Sequence, residues 1–348
     1  MKPTRLCASI LLLLSLFGGC LEIETTTTVG TDGVMLRTVQ FTADSGSITS
    51  QNLPMSFDSS WTLTTLKGER GKTVVRAERR FSSDEDLTRF AERKEGNLLR
   101  SRIRLEKGFR WFYTQYQYTE TMLSFNPFTL VPIGDYLSPR ELDLYLRHEI
   151  EKQPFGEPAD SVALAGAGGR FEEWKAKSMF ESYYREFLKG ALRSPRPALD
   201  SARVASMKAE LFKASRRHLE AGSLEEAERE FEHLLGRDPV REAVAANDSG
   251  FAAFRQAMRD QERILANSYR SAVIMPGVIA ETNAPVIEGD RAVWSDYVSY
   301  CYVRELQMTA ESRVMHWWAV VLTAVLLLGS TYLAIRRAAR RRIPTPIA

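Results

Sequence analysis

The sequence predicts an α+β protein: an antiparallel sheet domain carrying a large helical insertion, followed by one C-terminal transmembrane helix. Three observations predict it. Thr- and Val-rich stretches with strand-like alternation fill the chain up to Thr121 and return after Ser271. Segments of helical spacing occupy the middle. Residues 317–335 run for 19 positions without a charge. At 44% apolar content over 348 residues, the chain has the composition of a globular protein with a sizeable core.

In chain order, Lys2 and Arg5 precede an apolar run over 6–17 and then Gly18, Gly19 and Cys20. That is the charged, apolar and small-residue order of a secretory signal, so residues 1–19 are expected to leave on export. A cysteine directly after two small residues marks a lipoprotein signal, in which the Cys20 thiol takes diacylglycerol, with acyl chains such as palmitate, and becomes the mature N-terminus. Phe17 stands where such signals usually carry Leu. A plain cleaved signal, leaving Cys20 an ordinary residue, therefore stands beside lipidation.

Residues 20–154 and 271–315 are assigned to the ectodomain sheet and 155–270 to the helical insertion. Strands are expected over 22–29 and 34–42, flanking a Gly30-Thr31-Asp32-Gly33 turn, and over 60–65, 73–81, 99–106 and 109–121. A short helix falls at 84–94. Ser138-Pro139 opens a helix to about residue 152, with Pro where its missing N–H costs nothing. Further helices are expected over 170–192, 202–221, 224–235 and 250–269, with Pro195 and Pro197 breaking the first two apart. Strand character resumes over 278–282, 292–298 and 303–310. If the first and last strands pair, their membrane attachments require them to run antiparallel.

The uncharged run 317–335 is about 28 Å long as a helix, close to a hydrocarbon core of about 30 Å. Trp317 and Trp318 at one end and Tyr332 near the other suit interfacial belts, and Arg336, Arg337, Arg340, Arg341 and Arg342 follow. Positive-inside bias places these arginines, in a basic tail over 336–348, in the cytoplasm, and the preceding mass outside. Of 47 Lys and Arg, two lie in the signal and five in the tail, leaving 40 against 44 acidic residues in between. The basic excess is thus a targeting feature and gives no reason to expect a nucleic-acid partner. Few residues separate the last strand from residue 317, so the domain is expected to sit low, its base touching or overhanging lipid.

Once Cys7 leaves with the signal, Cys301 has a partner for a disulfide only if Cys20 is unlipidated. Gly71-Lys72-Thr73 lacks the earlier Gly of a phosphate loop, and Gly166-Ala167-Gly168-Gly169 has no βαβ surroundings. His148, His218, His233 and His316 lack metal-ligand spacing, and no G-x-S-x-G elbow occurs. No catalytic residue, metal or cofactor is assigned, and no enzyme activity is expected. Gly222, Ala227, Phe231 and Pro239 fall where the second half of a tetratricopeptide repeat has small, small, aromatic and proline residues. One hairpin alone reads more simply as a docked structural element than as a peptide-binding array. Phe109, Trp111 and Tyr113 alternate onto one face of the expected strand 109–121 and, with Phe125 and Phe128, form a candidate apolar groove for a lipid or glycan. Core packing of that strand is the plainer reading.

Cys20, Glu22 and Glu24 before a Thr-rich hairpin, then Met275-Pro276-Gly277, Thr282-Asn283-Ala284, Gly289-Asp290, Val293-Trp294 and Met308 with Ala310-Glu311-Ser312, resemble bacterial lipoproteins of the LppM type. The resemblance spans 20–145 and 271–342. It implies a lipid-anchored α+β envelope domain with a C-terminal helix and basic tail, and implies no enzymatic activity. The expected function is a non-enzymatic, membrane-anchored extracytoplasmic module that binds lipid, glycan or a protein partner near the membrane. The alternative is an assembly or sensory component acting through the insertion.

Overall fold

The first hairpin follows from its turn chemistry. In the computed structural model, which describes residues 21–44, 48, 53–94, 96–151, 164, 166–194 and 200–341, strand β1 (Glu22–Val29) returns as β2 (Met35–Asp44). Gly33 takes φ +93°, a left-handed position that glycine fills without a Cβ clash. The Val34 N–H donates to the Asp32 carboxylate at 3.0 Å and closes the turn. Alternation then buries Ile23, Thr25, Thr27 and Val29 on one strand, and Met35, Arg37, Val39, Phe41 and Ala43 on the other.

The α+β class holds, and the described strands form two sheets where one was expected. The larger runs β3 (Thr62–Lys67), β4 (Lys72–Phe81), β2, β1, β7 (Ser268–Ile274), β10 (Arg291–Ser295), β9 (Val286–Glu288). The smaller runs β5 (Ser101–Phe109), β6 (Tyr113–Met122), β11 (Leu306–Met315), β8 (Val278–Thr282). All pairs are antiparallel except β1 with β7, which run parallel from Glu22 opposite Ser268. A parallel neighbour needs a crossover, and here the crossover includes β5, β6 and the helical layer. The first and last strands do not pair: β1 lies between β2 and β7, and β11 between β6 and β8. Both instead feed one core, with Ile23 and Val29 from one sheet and Met308 and Ala310 from the other. Asn283 joins the sheets at one end, accepting from Thr309 N–H at 2.8 Å and from the Trp294 indole at 3.2 Å.

Helix α1 (Asp84–Ala91) closes this core with Leu87 and Phe90, its N-terminus capped by Ser83 and followed by Asp84, Glu85 and Asp86. Helix α2 (Pro139–Glu151) opens on a capping box, with Ser138 N–H donating to Glu141 at 2.9 Å and Glu141 N–H to the Ser138 hydroxyl at 3.3 Å. The spine of the helical layer is α3 (Ala167–Arg193), burying Phe180, Tyr183 and Phe187. The expected helix 202–221 divides at Met207 into α4 (Ser201–Ser206) and α5 (Lys208–Glu220). With α6 (Leu224–Leu235), α5 makes the anticipated hairpin: Gly222 has φ +75° at the turn, and Ala227 and Phe231 are buried against α3. Pro239 does not end the hairpin but sits in the first turn of an unanticipated helix, α7 (Arg237–Ala246), where proline is tolerated. Helix α8 (Asp248–Leu265) leads into β7, which begins inside the segment assigned to the insertion.

Another unanticipated helix, α9 (Val298–Val303), lies between β10 and β11 and docks the helical layer. Its Tyr302 shares a core with Leu142 and Leu146 of α2 and Phe171 and Trp174 of α3, and Arg304 pairs with Asp143 at 2.5 Å. The chain ends its described part in α10 (Trp317–Arg341), whose stretch Trp317–Arg337 is long and apolar enough to cross a membrane and is almost entirely exposed. The expected signal 1–19, Cys20, Arg342, the start of the insertion at 155 and the Pro195 and Pro197 break lie outside the described residues.

Candidate membrane-interface site

The site is built where β11 becomes α10. Only His316 stands between Met315, the last residue of the strand, and Trp317, the first of the helix. The His316 carbonyl accepts from Ala319 and Val320 N–H at 2.9 and 3.3 Å and so starts the helix. The tip of the β5–β6 hairpin grips this junction. His316 N–H donates to the Phe112 carbonyl at 2.7 Å. Its ring Nδ1 lies 3.3 Å from the Trp111 carbonyl and Nε2 lies 2.9 Å from the Thr114 hydroxyl. A carbonyl can only accept, so Nδ1 carries a proton toward Trp111.

Aromatic contacts extend the grip. The imidazole stacks on Phe109 at 5.1 Å and on Trp318 at 5.9 Å, while Trp111 meets Trp318 edge-on at 5.6 Å. The Trp111 indole N–H donates to the Thr323 hydroxyl at 2.9 Å. Despite these contacts the collar remains open to its surroundings, with Phe109 62%, Trp111 48% and Phe112 42% exposed. Met315, Trp317 and Trp318 continue the same apolar surface.

The expected strand 109–121 is therefore interrupted. β5 ends at Phe109, Arg110 to Phe112 form the turn, closed by Arg110 N–H donating to the Tyr113 carbonyl at 2.8 Å, and β6 starts at Tyr113. The five groove candidates are not brought to one surface. Phe109, Trp111 and Tyr113 gather at the junction with α10. Phe125 stacks edge-on against Tyr302 at 5.6 Å, and Phe128 is buried against Phe254 at 5.3 Å in the helical layer. Of the membrane-helix candidates, Trp317, Trp318 and Tyr332 are exposed on α10. Arg336, Arg337, Arg340 and Arg341 continue the helix without a break. Thr114 and Thr323 are not singled out by the sequence, and His316 enters there only among the histidines without metal-ligand spacing. Their link depends on a contact between segments some 200 residues apart.

Two other regions gather polar side chains around enclosed space. Between the sheets, the Glu120 carboxylate accepts from Arg37 at 2.8 and 3.0 Å, from Ser101 at 2.7 Å and from Tyr118 at 2.8 Å. Burial pushes the Glu120 carboxyl up, but the Arg37 charge and these hydrogen bonds outweigh it and hold it below its ordinary range. Burial beside Glu120 raises the Tyr118 phenol. The adjoining cavity of about 40 Å³, lined in part by Arg37, Ser101 and Tyr297, has room for little more than one water molecule. This cluster cross-links the two sheets. The second feature is a cleft of about 450 Å³ between the start of α6 and the face of α8, lined by Glu225, Glu228, Arg255, Arg259 and Glu262. Burial raises the Glu228 carboxyl there, against the opposing charge of Arg255 at 3.4 Å. Among the described residues, no three His, Cys, Asp or Glu side chains group as metal ligands would.

No protein-family model matches the chain, and no curated protein matches it. Among solved structures, the folded domain of LppM from Mycobacterium tuberculosis, determined by NMR, is similar, with 7% identity and a TM-score of 0.28 over 85% of this chain and 91% of that one.

Proposed function

We propose that this chain is a membrane-anchored extracytoplasmic lipoprotein without catalytic activity, acylated at Cys20, that works as a binding module held against the membrane surface. One observation carries the reading: β11 passes into an exposed apolar helix through His316 alone, and the β5–β6 tip clamps that junction. A module on a flexible tether would need neither feature. Lipid, glycan and protein remain the classes of binding partner, and the exposed aromatic collar supports lipid first, because such rings concentrate at headgroup level. The arginines that follow the span favour a cytoplasmic C-terminus. A single acyl unit holds a protein weakly compared with a spanning helix, so α10 supplies the lasting attachment.

Protease added to intact spheroplasts tests this directly. It should remove the mass before Trp317 and leave a small membrane fragment containing α10, and mass spectrometry of the mature N-terminus should find diacylglycerol on Cys20. Survival of the ectodomain until the cells are lysed would overturn the topology. The second reading, an assembly or sensory component, is supported by the charged cleft between α6 and α8. A photo-crosslinker in place of Arg259 should capture one defined envelope protein if that reading holds, and none otherwise.

A further inference from the structure

We propose that the tip of the β5–β6 hairpin, Arg110 to Phe112, is immersed in the outer leaflet beside α10, where the Trp111 indole donates to Thr323 inside the bilayer. The inference rests on α10 spanning the membrane and adds a second, non-covalent inserted element to it.

Helix length decides the matter. Thr323 lies six residues beyond Trp317, about 9 Å further along the helix axis at about 1.5 Å per residue. Trp111 touches it there. If the bilayer surface lay below the hairpin tip, only residues 324–335 would remain to cross it. Twelve residues span about 18 Å, far short of a hydrocarbon core of about 30 Å. Counting from Trp317 restores about 28 Å, and that places the tip within the membrane.

The chemistry of the tip agrees with this depth. Polar groups in lipid must be satisfied within the protein. The Trp111 and Phe112 carbonyls both accept from His316, Arg110 N–H donates within the turn, and the Trp111 indole uses the Thr323 hydroxyl. Ser330 and Thr331 return their hydroxyls to the Leu327 carbonyl. No acidic residue occurs from 107 to 115 or from 312 to 335. The charges at this end of the hairpin include exposed Arg110 on the turn and Arg313, opposite Gln115, whose guanidinium lies 5.2 Å over the Tyr113 ring and pairs with Glu311 at 2.9 Å. Long basic side chains of this kind extend toward headgroup phosphates while their stems stay apolar.

The test places the photoreactive residue p-benzoylphenylalanine in the full-length protein at Phe112, at Gln117 and at Val325 in turn. The protein is irradiated in nanodiscs of phosphatidylcholine and phosphatidylglycerol. Gln117 is exposed on β6, about 17 Å along the strand from Phe112. Lipid adducts are expected at 112 and 325, with a marked drop at 117. Adducts at 325 but not at 112 would overturn the immersed tip while leaving the spanning helix in place. Loss at both 112 and 325 would remove the spanning helix and the inference together.

Discussion

Replacing Glu120 by Gln changes one buried charge and almost no volume, so it isolates the bond between the sheets. The native carboxylate accepts four hydrogen bonds, two on each oxygen. An amide offers one oxygen, and its NH₂ would face donors from Arg37 and either Ser101 or Tyr118. Arg37 would also keep its charge in a site where Glu120 is only 3% exposed. Removing one member of a buried ion pair costs about 3–5 kcal/mol, a large part of a stability of about 5–15 kcal/mol. Urea unfolding of the full chain in nanodiscs, followed by the fluorescence of the buried Trp61 and Trp294, should show that loss. The sign of the pH effect is fixed as well. A carboxyl held below its ordinary value of 4.5 in the folded state stabilises the fold fully above that value. The stabilisation is lost as pH falls through the folded value, because the unfolded chain takes up its proton first. The native protein should therefore lose stability more steeply on acidification than Glu120→Gln. A cost under about 1 kcal/mol, at the level of an exposed pair, with unchanged acid sensitivity would show that the Arg37–Glu120 bond does not hold the two sheets together.

Other outcomes follow from packing. In Gly190→Ala the new methyl would lie 2.0 Å from the Ala243 carbonyl oxygen, forcing α3 and α7 apart. A lowered urea midpoint corresponding to about 1–3 kcal/mol is expected. Phe231→Ala empties the centre of the α3–α6 contact, where the ring is 1% exposed, and should cost about 3–5 kcal/mol in the same assay. Burial pushes the Cys301 thiol up to about 12, so maleimide at pH 8 should label it only after unfolding. A further thiol that reacts in the folded mature protein would report an unacylated Cys20.

Much of the fold was legible because its signals are local. The Thr-Val alternation around Gly30 to Gly33, the Ser138-Pro139 helix start and the uncharged run of α10 each specify an element from a few neighbouring residues. What stayed hidden depends on contacts between distant segments. The turn Arg110-Trp111-Phe112 contains no Gly, Pro, Asn or Asp, the usual marks of a turn. Its conformation is held by His316 and Trp318 instead, so the aromatic run read as one long strand. The Val-Ser-Tyr-Cys-Tyr-Val sequence of α9 has strand propensity, overridden where Tyr302 enters the core of α2 and α3. Pairing of β1 with β7 joins residues more than 240 positions apart, and no periodicity encodes it. The collar was glimpsed in Phe109, Trp111 and the paired Trp317 and Trp318. Its closing contacts, through His316 and Thr323, needed the folded chain.

Ectodomain, hairpin tip and α10 should move as one body. Spin labels at Gln117→Cys on β6 and Leu333→Cys near the far end of α10, both exposed positions, would measure it by pulsed dipolar spectroscopy in nanodiscs. One narrow distance distribution is expected. A broad distribution would show the ectodomain swinging on a loose connection to α10.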